Sequence, residues 1–399
     1  MNRRFCMIMI CLLTLMLAGC TSPGGTSRQE TISSQTESSS EADPIDPYAP
    51  QNQTIEILDK EGQKLGEIQS DANLTATDMG IFYSAFLSGK GKEWMEYRLF
   101  RPETGEDIHL GEAEVSYEAT YARQELNGRI YTLIISGYMF DSQPDPMWLL
   151  EFDPAAGTMN RYQAAENGFA YTAMTVFKDK LILFNHDQKE RLYDRVMEFD
   201  PQKGEFKEVL TYELEDSKGS TLRQIAVSDD RLLLLNVRFN SETDVRLMLD
   251  IYDNQYRKLE EKDLTPSFRK AAAEHVLAED VPEEIKNICS RLELLDGRYL
   301  FTESFGIVRS TIDLQTDQAV GFDDLTTASK GRGSLFLITT DYDAWTGTVL
   351  ELREGQWQET SMQAPIQGRL TSGSSSLRGD RIILSDMGGS LKAYYIPAR

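Results

Sequence analysis

One pattern limits what this chain can fold into more than any other: a tight polar turn followed by a short apolar run, returning at long intervals. It stands as Asp78-Met79-Gly80 before Ile81 to Phe86, and as Asn127-Gly128-Arg129 before Ile130 to Ile135. Lys178-Asp179-Lys180 precedes Leu181 to Phe184, and Asp229-Asp230-Arg231 precedes Leu232 to Leu235. Asp296-Gly297-Arg298, Gly331-Arg332-Gly333 and Gly379-Asp380-Arg381 open three further runs. Polar turn pairs such as Asn-Gly between strand formers are a strong local signal for a β-hairpin. A second pattern alternates with the first. Trp148 to Phe152, Asp153-Pro154-Ala155-Ala156-Gly157 and Thr158 to Tyr162 read as strand, turn and strand. Val196 to Phe199, Asp200-Pro201-Gln202-Lys203-Gly204 and Glu205 to Leu210 repeat them, with weaker copies turning at 101–105, 253–254, 315–317 and 353–355. Proline presets φ in such a turn and glycine accepts a positive φ.

Together the two patterns predict units of four short antiparallel strands beginning near residues 72, 115, 168, 220, 290, 325 and 368. Most of the spacings fall in the range of propeller blades. The expected fold is all-β, a seven-bladed β-propeller over 54–399, with six to eight blades open. The last unit has strands near 369–375, 381–385 and 391–396 and lacks a fourth, while 54–58 and 64–68 form an orphan hairpin. One strand of that hairpin is expected to complete the last blade and remove the exposed edges. A helical insertion interrupts the pattern near 265–292. Thr265-Pro266 reads as cap and first turn, Arg269 to Leu277 as helix, and Pro282 restarts a second helical stretch from Glu283 to Leu292. The Asp-Pro-x-x-Gly hairpins resemble the outer hairpins of kelch, WD40-like and quinoprotein-type propellers. The paired glycines of kelch, the Gly-His and Trp-Asp marks of WD40 and the regular tryptophans of quinoprotein blades are absent. The resemblance implies the architecture and carries over no functional residue.

The N-terminus points to an address. Arg3 and Arg4, an apolar run from Phe5 to Leu17 and small residues at its end describe a secretory signal. Leu17-Ala18-Gly19-Cys20 resembles the lipobox of bacterial lipoproteins. The resemblance implies a signal peptide over 1–19, diacylglycerol on the sulfur of Cys20, and a location on the extracytoplasmic side of a cell membrane. Residues 20–53 are rich in Ser, Thr, Glu, Gly and Pro, too poor in large apolar side chains to offset chain entropy, and are expected to form a disordered tether. Cleavage removes Arg3 and Arg4 and no acid, which takes the formal charge from −23 to −25. Such a chain repels phosphate backbones, so nucleic acid is not an expected partner. Cys6 and Cys11 leave with the signal, Cys20 takes the lipid and Cys289 stands alone among Ile285, Ile288 and Leu292, so no intramolecular disulfide is expected. Without CxxC, and with His109, His186 and His275 scattered, no metal or cofactor is expected, and the protein is read as a monomer.

Catalytic motifs are thin. There is no Gly-x-Ser-x-Gly elbow, phosphate loop, His-Glu-x-x-His or dinucleotide fingerprint. Ser267-Phe268-Arg269-Lys270 matches Ser-x-x-Lys without a companion motif, and Ser385-Asp386-Met387-Gly388-Gly389 reads as a hairpin turn. The connections between second and third strands are longer and more varied than the other turns. They include 136–147 with Tyr138, Phe140, Asp141 and Asp145, 185–194 with His186, Asp187 and Arg191, and 340–347 with Asp341, Tyr342, Asp343 and Trp345. Long loops carrying aromatic and charged residues on a rigid scaffold are where binding concentrates. Tyr138, Phe140, His186, Asp187, Arg191, Tyr342 and Trp345 are therefore the candidate ligand-binding residues. The expected function is binding or scaffolding of a protein, peptide or glycan at the cell envelope. The alternative is a glycan-active enzyme using two converging carboxylates.

Overall fold

The computed structural model describes residues 52–397 except 88–93, 116, 136–146, 166–168, 188–192, 216–217, 229, 242–243, 274, 287, 289–292, 296–298, 304–308, 323–325, 330–335, 342–345, 354–355, 360–365, 368, 376–380 and 387–389. Strands β1 (Gln53–Leu58) and β2 (Lys64–Ser70) form a hairpin, and the chain then folds into successive antiparallel meanders. The first sheet is β3 (Leu74–Thr77), β4 (Gly80–Phe86), β5 (Trp94–Arg101) and β6 (Glu106–Glu114). The second is β7 (Tyr117–Leu126), β8 (Arg129–Ile135), β9 (Met147–Asp153) and β10 (Thr158–Ala165). The third meander, β11 (Phe169–Phe177), β12 (Lys180–Asp187), β13 (Tyr193–Asp200) and β14 (Glu205–Glu215), continues by backbone pairing into the fourth. That fourth meander is β15 (Lys218–Ser228), β16 (Arg231–Phe239), β17 (Val245–Tyr252) and β18 (Lys258–Asp263). Leu214 pairs with Gly219 and Glu215 with Lys218, so the two meanders make one eight-stranded sheet.

Two helices follow, α1 (Thr265–Ala272) and α2 (Val281–Lys286). The fifth meander is β19 (Glu293–Leu295), β20 (Tyr299–Glu303), β21 (Arg309–Asp313) and β22 (Ala319–Phe322). The sixth is β23 (Thr326–Ser329), β24 (Phe336–Asp341), β25 (Thr346–Arg353) and β26 (Gln356–Glu359), with β27 (Ile366–Gln367) also pairing β25. The last sheet combines β28 (Arg369–Ser375), β29 (Arg381–Asp386) and β30 (Leu391–Ile396) with the N-terminal hairpin. There β1 lies parallel to β30, with Ile55 opposite Leu391 and Leu58 opposite Tyr394, and β2 forms the outer edge. The sequence left open which hairpin strand completes the last unit; it is the first.

The core sits between sheets rather than within any one of them. Phe82, Tyr97 and Leu99 of the first sheet meet Ile130, Ile134 and Phe152 of the second, with the Tyr97 and Phe152 rings 4.8 Å apart. Tyr131 and Leu149 of the second meet Leu183 and Phe199 of the third. Ile182, Phe184 and Val196 of the third meet Leu232 and Leu234 of the fourth. On the other face of β16, Leu233, Leu235 and Val237 pack with Phe268, Ile285, Leu300 and Ile312. Burial on both faces explains why Leu232 to Leu235 is a continuous apolar run rather than an alternating one. Ile55, Ile57, Leu384 and Ala393 of the last sheet meet Ile81, Tyr83 and Phe100 of the first. The first strands of neighbouring sheets also lie against one another, β7 with β11, β11 with β15, and β28 with both β3 and β23. Four-stranded meanders stacked face to face, with their first strands gathered along one side, are the arrangement of β-propeller blades.

The helices depart from the sequence expectation in three ways, the first being that α1 ends at Ala272 rather than reaching Leu277. Thr265 is not the cap of α1: Leu264 holds that position, and the Thr265 hydroxyl accepts a hydrogen bond from the Leu247 amide at 2.9 Å instead. The residue is spent on fixing the helix to β17. The second helix ends at Lys286 rather than reaching Leu292, and Ile288 is in a bridge, so the apolar spacing Ile285-Ile288 reflects packing between sheets rather than one helix face. Cys289 lies outside the described residues. Among the described residues no helix is long and apolar enough to cross a membrane.

The Asp-Pro-x-x-Gly turns form as the residues dictate. Asp153 Oδ1 accepts from the Ala155 and Ala156 amides at 3.0 and 2.9 Å, and Asp200 Oδ1 from the Gln202 amide at 3.0 Å. Gly157 and Gly204 close the turns at φ +64° and +68°. A Cβ on Gly157 would meet open space, whereas one on Gly204 would lie 2.9 Å from Tyr162 Cε1. Gly157→Ala should cost about 1 kcal/mol from backbone strain alone. Gly204→Ala should cost more, because the Tyr162 ring must also move; chemical denaturation of the two variants checks the order.

Candidate functional site

Each meander has two unlike ends. At one end lie the turns between first and second strands and those between third and fourth, which in the second to fifth meanders are capped by Asp153, Asp200, Asp253 and Asp313. At the other lie the connections between second and third strands. The pairs Leu126–Arg129 and Asp153–Thr158 mark the first end of the second sheet, and Ile135–Met147 marks the other.

The turn end is locked by repeated ion clusters. Arg129, the first residue of β8, reaches Glu151 Oε1 at 2.7 Å and Asp153 Oδ2 at 3.4 Å. Glu151 is fully buried and also accepts from Tyr131 Oη at 2.9 Å and Asn160 Nδ2 at 2.9 Å. Lys180, the first residue of β12, repeats this with Glu198 at 2.5 Å and Asp200 at 3.7 Å. Glu198 also accepts from the hydroxyl of Tyr256, which projects from the β17–β18 turn of the next meander. Tyr256 holds φ +59° to do so. The lysine and tyrosine bonds hold the Glu198 carboxyl below its ordinary range, although burial alone would raise it. These groups are structural clamps.

Further polar side chains tie one meander to the next. Arg123 of β7 is buried, donates to Ser84 Oγ at 2.7 Å and to the Asn73 carbonyl at 2.8 Å, and stacks 4.9 Å over the Phe82 ring. Ser84 Oγ donates in turn to Asp71 at 3.1 Å. Between the third and fourth sheets, Asp194 Oδ2 accepts from the Leu222 amide at 2.6 Å. Tyr212 Oη donates to Asp250 Oδ2 at 2.8 Å and lies 3.0 Å from Tyr252 Oη. Lys258 Nζ sits 2.8 Å from Asp250 Oδ1. Burial, reinforced by the Asp250 charge, pushes the Tyr212 hydroxyl far above its ordinary pKa, so it stays a donor. At the outer strand Arg238 grips Glu261 through two bonds of 2.8 and 2.9 Å and Lys258 adds a third.

These bonds to Arg238 and Lys258 outweigh desolvation and hold the Glu261 carboxyl down to about 2. A depressed folded-state pKa gives stability that is present above the unfolded value near 4.5 and is lost as pH falls through about 2. Glu261→Gln should therefore lower the wild-type midpoint at pH 6 and flatten its acid limb between pH 4.5 and 2. Added salt should shrink the difference, because the pair is partly exposed.

Of the sequence-predicted binding residues, His186 and Asp187 are placed. They are the last two residues of β12 rather than part of a loop, His186 pairing with Asp194 and Asp187 with Phe169. Tyr138, Phe140, Arg191, Tyr342 and Trp345 lie outside the described residues, as do Asp141, Asp145, Asp343 and Cys20; Asp341 ends β24. His186 thus shares a cross-strand row with Asp194 and Tyr212, two residues that sequence reading missed. The clamp carboxylates were also missed, although a signal existed. Glu-Phe-Asp-Pro recurs at 151–154 and 198–201, one turn of the meander after Arg129 and Lys180.

No protein-family model matches the chain, and no curated protein matches it. Among solved structures it is similar to the β-propeller domain of the Trilobed protease from Pyrococcus furiosus, at 8% identity and TM-score 0.46 over 72% of this chain and 82% of that one. It is also similar to a Mycobacterium tuberculosis puromycin-hydrolyzing peptidase, at 8% identity and TM-score 0.49 over 80% and 50% of the two chains. A third likeness, to Pyrococcus horikoshii acylaminoacyl peptidase, has 10% identity and TM-score 0.46, covering 70% of this chain and 44% of the peptidase. This chain therefore matches less than half the length of that enzyme.

Proposed function

We propose that the protein is a seven-bladed propeller, held to the extracytoplasmic side of a cell membrane by lipid on Cys20, that binds a protein, peptide or glycan through its second-to-third-strand end. The blade count takes the eight-stranded sheet as two blades and the last sheet, completed by β1, as the seventh. The observation that carries the binding reading is the contrast between the two ends of the meanders. One end is fixed by capped turns and paired ions, while the other bears the connections containing Tyr138, Phe140, Arg191, Tyr342 and Trp345. A rigid frame lowers the entropic cost of presenting aromatic anchors, and aromatic and arginine side chains supply most hot spots. The buried carboxylates Glu151, Asp194 and Asp250 each hold a structural partner, which favours binding over glycan hydrolysis.

Two experiments test this. Cys20→Ser should release the protein from the membrane fraction or leave it unprocessed, since stable anchoring needs more than one acyl chain; membrane retention of a matured variant would contradict the anchor. For the binding face, the purified domain is screened against envelope glycans and extracted envelope proteins. Trp345→Ala and Tyr138→Ala should each weaken the ligand found by at least about tenfold, the loss of one hot-spot anchor. Unchanged affinity in both would move the site elsewhere.

A further inference from the structure

The junction between the third and fourth meanders holds a side chain that its protein neighbours do not satisfy. Asn236 of β16 is fully buried, and neither its Nδ2 nor its Oδ1 has a hydrogen-bond partner. Along β16, Leu232 and Leu234 face the third sheet, while Leu233, Leu235 and Val237 face the helices, so the alternation turns Asn236 toward the third sheet. In register it lies between Leu222 of β15 and Met248 of β17. Asp250 pairs with Leu234, which makes it the diagonal neighbour of Asn236 on the same face. A buried carboxamide with both atoms unpaired is costly, and such groups in native proteins are commonly satisfied by water or an ion.

We infer that Asn236 and Asp250 form an internal hydration site, in which water bridges the carboxamide to Asp250 Oδ1 across the junction of the two sheets. Asn236 makes no direct bond to Asp250, and diagonal neighbours on one face stand within the span of one bridging molecule. Oδ1 has room for it: Oδ2 takes the Tyr212 hydroxyl, while Oδ1 has the Lys258 ion pair but no hydrogen bond of acceptable geometry. The chemistry selects the occupant. Asn236 offers a donor and an acceptor together, which water matches. A cation is disfavoured because the Lys258 ammonium already stands at Asp250. A larger solute is excluded by Leu222 and Leu234, both fully buried beside the site. Among the other polar groups of the junction, Asp194 takes the Leu222 amide, and Tyr252, Arg238 and Glu261 are engaged with Tyr212, with each other and with Lys258. Here the two meanders are also joined by backbone pairing of β14 to β15. That pairing holds a wet junction closed.

The test is a high-resolution crystal structure of the wild-type protein together with a double-mutant cycle. Density for a water within hydrogen-bonding distance of both Asn236 and Asp250 is expected. A direct bond from Asn236 to protein, a bound ion, or a dry site would overturn the inference. In the cycle, Asn236→Leu should lower the thermal midpoint of the wild type and lose most of that effect in an Asp250→Leu background. Additive shifts would overturn the bridge even if both variants fold, and the wild-type crystal decides if one does not.

Discussion

Deleting residues 54–68 is expected to abolish cooperative unfolding, leaving a chain with strand content but no sharp thermal midpoint. The segment carries Ile55, Ile57 and Ile68, all buried at 3% exposure or less, in the cluster that joins the last sheet to the first. Fully burying such a side chain contributes about 1.5–3 kcal/mol. Three of them, with the β1–β30 ladder lost as well, approach the whole net stability of a typical domain, about 5–15 kcal/mol. The deletion also bares the edge of β30, with Leu391 and Tyr395 on it, to intermolecular pairing. Deleting 24–46 is the matched control and should leave the midpoint within a degree or so, as expected of a tether without native contacts. Calorimetry on both proteins checks the pair, and similar midpoints would refute the role given to β1.

Glu151→Ala is expected to destabilise by about 1–3 kcal/mol, the usual cost of leaving a buried hydrogen-bonding group unsatisfied. The variant strands the buried Tyr131 hydroxyl beside the core of the second and third sheets, while the half-exposed Arg129 side chain and the exposed Asn160 regain water. Glu198→Ala, at the matching position of the third sheet, should cost less. Its carboxylate is part-exposed at 14%, against 0% for Glu151, so water can reach the groups it leaves behind. Urea denaturation should rank the two in that order; equal losses would mean that burial does not set the strength of these clamps.

The parts of this fold legible in the sequence are those written in local chemistry. Asp153-Pro154 to Gly157 and Asp200-Pro201 to Gly204 announced their turns because aspartate, proline and glycine each solve one local backbone problem. The last unit's strands and its missing partner were legible for the same reason. Which strand of the hairpin filled the gap was not, since Ile55–Leu58 and Leu65–Ile68 have similar patterns and parallel pairing across the whole chain leaves no local mark. Thr265-Pro266 misled because a threonine before proline caps a helix unless a tertiary partner claims its hydroxyl, as the Leu247 amide does. The polar links between sheets stayed hidden for the same tertiary reason. Arg123 and Asp194 carry no local mark, and only the neighbouring sheet gives them a role. The binding candidates were chosen from aromatic and charged loop residues, and the strand end at His186 shows how tertiary pairing extends a strand beyond its apolar run.

The most direct measurement of the closed architecture is a cross-link between the two ends of the chain. Glu56 and Lys392 are register partners in the β1–β30 ladder, both partly exposed. Paired strand residues hold their Cα atoms within the 4.4–6.8 Å that a disulfide bridges. Glu56→Cys with Lys392→Cys, in a Cys20→Ser and Cys289→Ser background, should oxidise to an intramolecular disulfide seen as one linked peptide pair by mass spectrometry, with a raised midpoint that reduction reverses. Free thiols at both positions in the folded protein, or links formed only between molecules, would contradict closure by the first strand.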